Sequence, residues 1–230
     1  MNEAPDRPWL PYVLPMGVFL GFSMLEGYLP KGSGGGPHPT WYPLAYTAKI
    51  AAVLAAMWFG RSTWSDLKPR PGMLGWALAI GAGVLVTGMW VGLDGWYYRF
   101  DKEDARAAFD PFTLPPAARF GFLAVRLLGL VVVVPIFEEL FWRSFLLRWV
   151  IDPDHFRDVP IGRVTPMAAG VSAALFASAH PEWLPALLTG LLWAGLLWRT
   201  KSLLACVVSH MVANLGLGLY VLATHQWKYW

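Results

Sequence analysis

Cysteine is almost missing from this sequence. Its one example, Cys206, sits in an apolar segment, so no intrachain disulfide forms and no Cys-x-x-Cys motif exists. Charge is scarce too: 14% of the 230 residues are Asp, Glu, Lys or Arg, against about 25% in soluble domains. No lysine and arginine run is long enough for a nucleic-acid-binding arm, and no nucleic-acid partner is expected. The net charge of +3 fits basic loops at a membrane surface instead. A cleavable signal peptide is not expected, because Glu3, Asp6 and Arg7 crowd the start and no Ala-x-Ala site follows the apolar stretch. Internal repeats, a second soluble domain, an HExxH zinc motif and a GxSxG nucleophile elbow are all missing.

What fills the chain is apolar. Hydrophobic residues make up 56% of it, and the mean hydropathy is +0.44. Fourteen tryptophans and eight tyrosines suit aromatic belts at two membrane interfaces. The fold class is therefore all-α, a polytopic transmembrane helical bundle in a lipid bilayer. A spanning helix needs about 20 mostly apolar residues. Seven segments come close: 9–29, 41–60, 73–93, 119–150, 164–180, 183–199 and 202–223. The fourth is too long for one straight span. Pro135 in its middle predicts a kink, or a span followed by a second helical piece, giving seven to eight spanning helices. Residues 1–230 read as a single membrane domain with a motif-bearing core at about 120–220. The stretch 31–40 is a Gly- and Pro-rich loop, and 94–116 mixes aromatics and charges as an interfacial segment does. With the N-terminus cytoplasmic, Arg7, Arg61, Lys68, Arg70, Arg148, Arg157, Arg163, Arg199 and Lys201 fall inside. Lys31, Arg99, Lys102, Arg106, Arg119 and Lys228 fall outside, a modest bias.

Polar residues within the segments form a short list: Glu26, Lys49, Arg126, Glu138, Glu139, Arg143, His180, His210 and Asn214. A charge at mid-membrane costs about 2.5–3.5 kcal/mol on insertion scales, so such residues pair, face a cavity or do chemistry. Glu26 and Lys49 are placed to pair across the first two helices or to snorkel, and Arg126 to snorkel or find a structural partner. The stretch 135–143 reads PIFEELFWR. Successive helical residues point about 100° apart, so Glu138 and Glu139 cannot share a direction. Arg143 follows Glu139 at the i,i+4 spacing that stacks side chains on one face. Geometry thus pairs Glu139 with Arg143 and leaves Glu138 to point elsewhere. A partly desolvated carboxylate there suits a general base.

Downstream, His180 closes FASAH, and HMVAN places His210 and Asn214 on one helix face. Together these residues supply a base, a proton carrier and two donors for an oxyanion, the inventory of water-mediated amide hydrolysis. A buried structural charge cluster with histidine struts remains the plain alternative on these residues alone. Ser144, Ser172, Ser178 and Ser209 make no recognisable nucleophile site. At about 1.5 Å per residue, His210 lies about 12 Å from Ser202, while His180 lies about 24 Å from Val164. The two histidines therefore meet only through tilt, irregular helix or different boundaries.

The ordered set E-E-x-x-x-R (138–143), F-x-x-x-H (176–180) and H-x-x-x-N (210–214) resembles the CPBP family. These are the type II CAAX prenyl endopeptidases and their bacterial relatives, also called Abi proteins. The resemblance covers roughly 120–220 with every fixed motif position matched. The first segment, YVLPMGVFLGFSMLEGYLP, resembles CAAX-protease-related proteins found beside exosortase sorting systems. The family fold usually has eight spanning helices. The resemblance implies an intramembrane endopeptidase: Glu138 activates water, His180 shares it, and His210 and Asn214 stabilise the oxyanion. Glu139 and Arg143 support them, and Phe176 packs beside the site. Members have also been labelled metalloproteases, and zinc would then draw on Glu138, Glu139, His180 and His210. The favoured expectation is a metal-independent glutamate mechanism without a cofactor. The implied substrate is a membrane-anchored peptide or protein, lipidated or not, cut near its C-terminus in a bacterial cytoplasmic membrane. Two other functions compete. One is a non-catalytic scaffold or bacteriocin immunity protein, disfavoured because all catalytic positions are filled. The other is an ion- or proton-coupled transporter, disfavoured by the missing repeats.

Overall fold

Apolar residues on every face of a helix bury it in lipid or in other helices, and the chain follows that rule throughout. The computed structural model describes residues 7–32, 35–98 and 109–229, which are helical and contain no β-sheet. Seven helices run in sequence among the described residues. They are α1 Leu10–Glu26, α2 Trp41–Phe59, α3 Met73–Gly92, α4 Pro116–Ile151, α5 Pro166–Ser178, α6 Trp183–Thr200 and α7 Leu203–Thr224. Four of these, α2, α3, α4 and α7, are long and apolar enough to cross a membrane, while α1 and α5 are apolar but shorter. Large apolar side chains such as Leu20, Leu54, Val84, Leu191 and Leu219 point outward, as lipid-facing residues do. The architecture is a polytopic helical bundle. Residues 99–108 of the interfacial stretch, with Arg99, Lys102 and Arg106, fall outside the described residues, as do Glu3 and Asp6.

The helices pack most intimately as α3 with α7, α5 with α6, and α1 with α2. Small residues permit this closeness. A Cβ added at Gly83 would stand 2.5 Å from the Ser209 carbonyl oxygen, and one at Gly216 would stand 2.5 Å from Thr87 Oγ1. The α3–α7 seam is therefore closed to backbone contact along the turns that carry His210 and Asn214.

Loop contacts define two ends. At one, Arg157 donates to the Pro8 carbonyl at 2.9 Å, Ser202 donates to that of Pro69, and Lys201 Nζ donates to that of Gly162 at 2.8 Å. At the other, Trp183 Nε1 donates to the Tyr98 carbonyl at 2.8 Å, Lys228 pairs with Asp94, and Phe112 packs on Trp227.

Two expectations change, and for Arg126 and the Glu26–Lys49 pair the structure selects one of the two alternatives. Pro135 neither breaks α4 nor produces an eighth helix: the helix runs continuously through it. The irregularity takes the form of two wide π-type stretches, Gly129–Val133 and Leu140–Leu146, flanking the short α-helical piece Val134–Glu139. Arg148 is not a loop cation. It lies inside α4, 4% exposed, and its Nη2 bonds Asp66 Oδ2 at 2.8 Å. Tyr12 and Ser144 donate to the same carboxylate oxygen. Arg126 does not snorkel: it is buried, with its guanidinium 4.5 Å from the Tyr46 ring centre. Glu26 and Lys49 do pair across α1 and α2, at 2.8 Å.

The thirteen residues of α5 make it about 20 Å long, and His180 lies two residues beyond its end.

Candidate active site

The α-helical piece between the two wide turns carries both glutamates. Glu139 is fully buried. Its Oε1 accepts from Arg143 Nη1 at 3.1 Å and faces His210 Nδ1 at 2.9 Å. The Glu139–Arg143 pair is the one predicted by the i,i+4 spacing, and α7 adds the histidine. Arg143 lies between two aromatic rings, 4.5 Å from the centre of Phe176 and 4.9 Å from that of Trp193. Such stacking suits a planar guanidinium removed from water.

Glu138 points away from this pair, as the helix geometry requires. It is 7% exposed, and its Oε2 has no hydrogen-bond partner among the described residues. His210, Glu139 and Arg143 all act on it electrostatically. A buried carboxylate oxygen without a donor is costly to maintain for structure alone.

The two histidines are oriented alike. A carbonyl oxygen can only accept, so the 2.7 Å contact of His180 Nδ1 with the Phe176 carbonyl places the proton on Nδ1. The carboxylate of Glu139 does the same for His210. In their neutral forms both rings therefore carry an unprotonated Nε2. The His180 ring packs on Phe176 at 4.4 Å between centres and on Trp90 of α3 at 5.9 Å. Phe176 thus bridges His180 to Arg143. The His210 ring lies on Trp193 at 4.4 Å with 31° between planes. Asn214, one turn beyond His210, donates through Nδ2 to the Leu130 carbonyl of α4 at 2.8 Å.

All seven residues singled out from the sequence thus stand on or beside one cluster spanning α4, α5 and α7. Trp193 of α6 was not anticipated. Its indole N–H donates to Ser209 Oγ at 2.9 Å, and its ring separates Arg143 from His210. No motif marks it, because a tryptophan in an apolar helix reads as a belt residue. The Leu130 carbonyl is backbone and leaves no trace in residue identity.

Glu139 Oε1 is engaged by Arg143 and His210, while its Oε2 has no hydrogen-bond partner among the described residues. Among the described residues no group of three His, Cys, Asp or Glu side chains stands together as metal donors.

A bundle of apolar helices with buried carboxylates and partly buried histidine and amide groups gathered inside it defines the class, a polytopic helical membrane protein. Residues 120–216 match the family model described as Type II CAAX prenyl endopeptidase Rce1-like. The matched span runs from α4 into α7 and contains all three motifs. No curated protein and no solved structure matches the chain.

Proposed function

We propose that the protein is an intramembrane endopeptidase that hydrolyses a peptide bond with water activated by Glu138. The observation that supports this most is the buried, unpartnered Oε2 of Glu138 beside the Arg143–Glu139–His210 chain. Glu138 takes a proton from a water held jointly with His180 Nε2. The water oxygen bonds to the peptide carbonyl carbon, and the carbonyl electron pair becomes an oxyanion. Asn214 donates one amide N–H to that oxygen. His210 donates only as the imidazolium, with Glu139 as its counter-charge. Collapse breaks the carbon–nitrogen bond, and the proton on Glu138 passes to the leaving amine. The products are a new carboxyl terminus and a new amino terminus, with no cofactor drawn into the step. Preorganised donors of this kind lower the barrier by about 3–4 kcal/mol each.

The substrate is the C-terminal region of a membrane-associated protein, lipidated or not, in a bacterial cytoplasmic membrane. The wording of α1 favours the subgroup that stands beside exosortase sorting systems. The test uses an internally quenched peptide ending in a farnesylated cysteine and three further residues, in phospholipid vesicles, with an unprenylated twin. Glu138→Ala is expected to express normally and to lose cleavage. Retained cleavage overturns the mechanism. Activity that vanishes in chelator and returns with Zn²⁺ overturns its metal-independence. If neither peptide is cut, comparing membrane-protein C-termini from cells with and without the protein finds the substrate. Unchanged C-termini favour the scaffold reading.

A further inference from the structure

We propose that Pro135 is a positioning residue for Asn214, acting through the carbonyl of Leu130; this rests on the reading above in which Asn214 faces the oxyanion. The argument begins in the wide turn Gly129–Val133. Bonds there run from an N–H to the carbonyl five residues earlier, and Val134 N–H donates to the Gly129 oxygen. One residue further, the same register pairs the Leu130 oxygen with the nitrogen of residue 135. That residue is proline and has no N–H. The usual α-helical donor to Leu130 is Val134, and Val134 is committed to Gly129. Pro135 therefore denies Leu130 its helical partner inside the bundle, where backbone carbonyls need one.

Asn214 supplies it, with Nδ2 at 2.8 Å from the Leu130 oxygen. The side-chain amide is planar and carries two N–H groups. Anchoring one of them fixes the plane and aims the second. Asn214 shares a helix face with His210, so the aimed N–H belongs to the cluster around Glu139. Pro135 is buried, and α4 continues through it, so the proline does not serve to end the helix. Its effect is to export one backbone hydrogen bond to α7.

The test is Pro135→Ala, which restores the N–H and lets α4 satisfy Leu130 itself. Asn214 then loses its anchor. With the farnesylated peptide in vesicles, kcat is expected to fall about 10- to 100-fold with KM unchanged, because removing an oxyanion donor outright costs about 10²–10³ in kcat. Asn214→Ala is expected to lose at least as much. In the Asn214→Ala background, adding Pro135→Ala is expected to change kcat by less than about twofold, since the two act on one element. Pro135→Ser restores the same N–H with a different side chain and is expected to match Pro135→Ala. Full kcat in a folded proline variant overturns the proposal, as does an additive loss in the double variant. Failure of both proline variants to fold overturns it too, by making Pro135 a requirement of the helix itself. A fully active Asn214→Ala removes the oxyanion reading and this inference with it. An inactive Asn214→Ala beside a fully active Pro135→Ala removes this inference alone.

Discussion

Replacing Arg143 with alanine removes a cation that is 2% exposed from a carboxylate that is 0% exposed. The Nη1–Oε1 contact is 3.1 Å, and the guanidinium is held between the Phe176 and Trp193 rings. Deleting one partner leaves Glu139 buried with only His210 against its Oε1, and breaking a buried pair in this way costs about 3–5 kcal/mol. Arg143→Lys keeps the charge but loses the flat plate that fills the space between the rings, so it is expected to cost about 1–2 kcal/mol. The measurement is reversible unfolding in mixed micelles, by titration with a denaturing detergent, with both variants beside the parent. The reasoning requires alanine to be clearly worse than lysine, and both to fall below the parent. An alanine variant as stable as the parent yet inactive would refute it, because Arg143 would then act on the reaction and not on the fold. Equal losses for alanine and lysine would leave the charge without a role.

Trp193→Phe keeps a ring against His210 but loses the bond to Ser209, and kcat is expected to stay within about tenfold of the parent. Trp193→Leu removes the ring, and kcat is expected to drop about 100-fold at unchanged KM, the scale of a catalytic group displaced by about 1 Å. Equal activities for the two variants would sink this assignment. Asp66→Asn leaves Arg148 buried without its counter-charge and is expected to destabilise by about 3–5 kcal/mol in the same unfolding titration. Specific activity of the folded fraction should be unchanged, since the bonds of Asp66 run to Tyr12, Ser144 and Arg148 and to none of the candidate site residues; a selective loss of activity would contradict that.

The sequence disclosed what side-chain chemistry and helical spacing can carry. Scarce charge gave the membrane bundle, and the i,i+4 rule separated Glu139 from Glu138. The spacing of His210 and Asn214 likewise put both on one face of α7. It disclosed less where backbone irregularity governs. The two π-type stretches of α4 have no composition of their own, so the sequence puts the irregularity at Pro135 when it lies on both sides of it. The end of α5 at Ser178 comes two residues earlier than the sequence suggests, because His180 and Pro181 read as the close of the apolar segment. Arg148 was assigned to a loop because its partner, Asp66, is remote in sequence.

The glycine-lined seam between α3 and α7 has a mechanical consequence. Gly83 and Gly216 bring side-chain and backbone atoms of the partner helix to where a methyl group would stand, and such a joint can neither slide nor rotate without collision. His210 and Asn214 therefore ride on a helix held fast against α3. The α5–α6 pair is similarly locked, with a Cβ at Gly190 only 2.8 Å from Ala173. The bundle then behaves as stiff pairs arranged about α4 as a central post. Any loosening of such a bundle is a parting of pairs, with His210 and Asn214 carried on the α3–α7 joint.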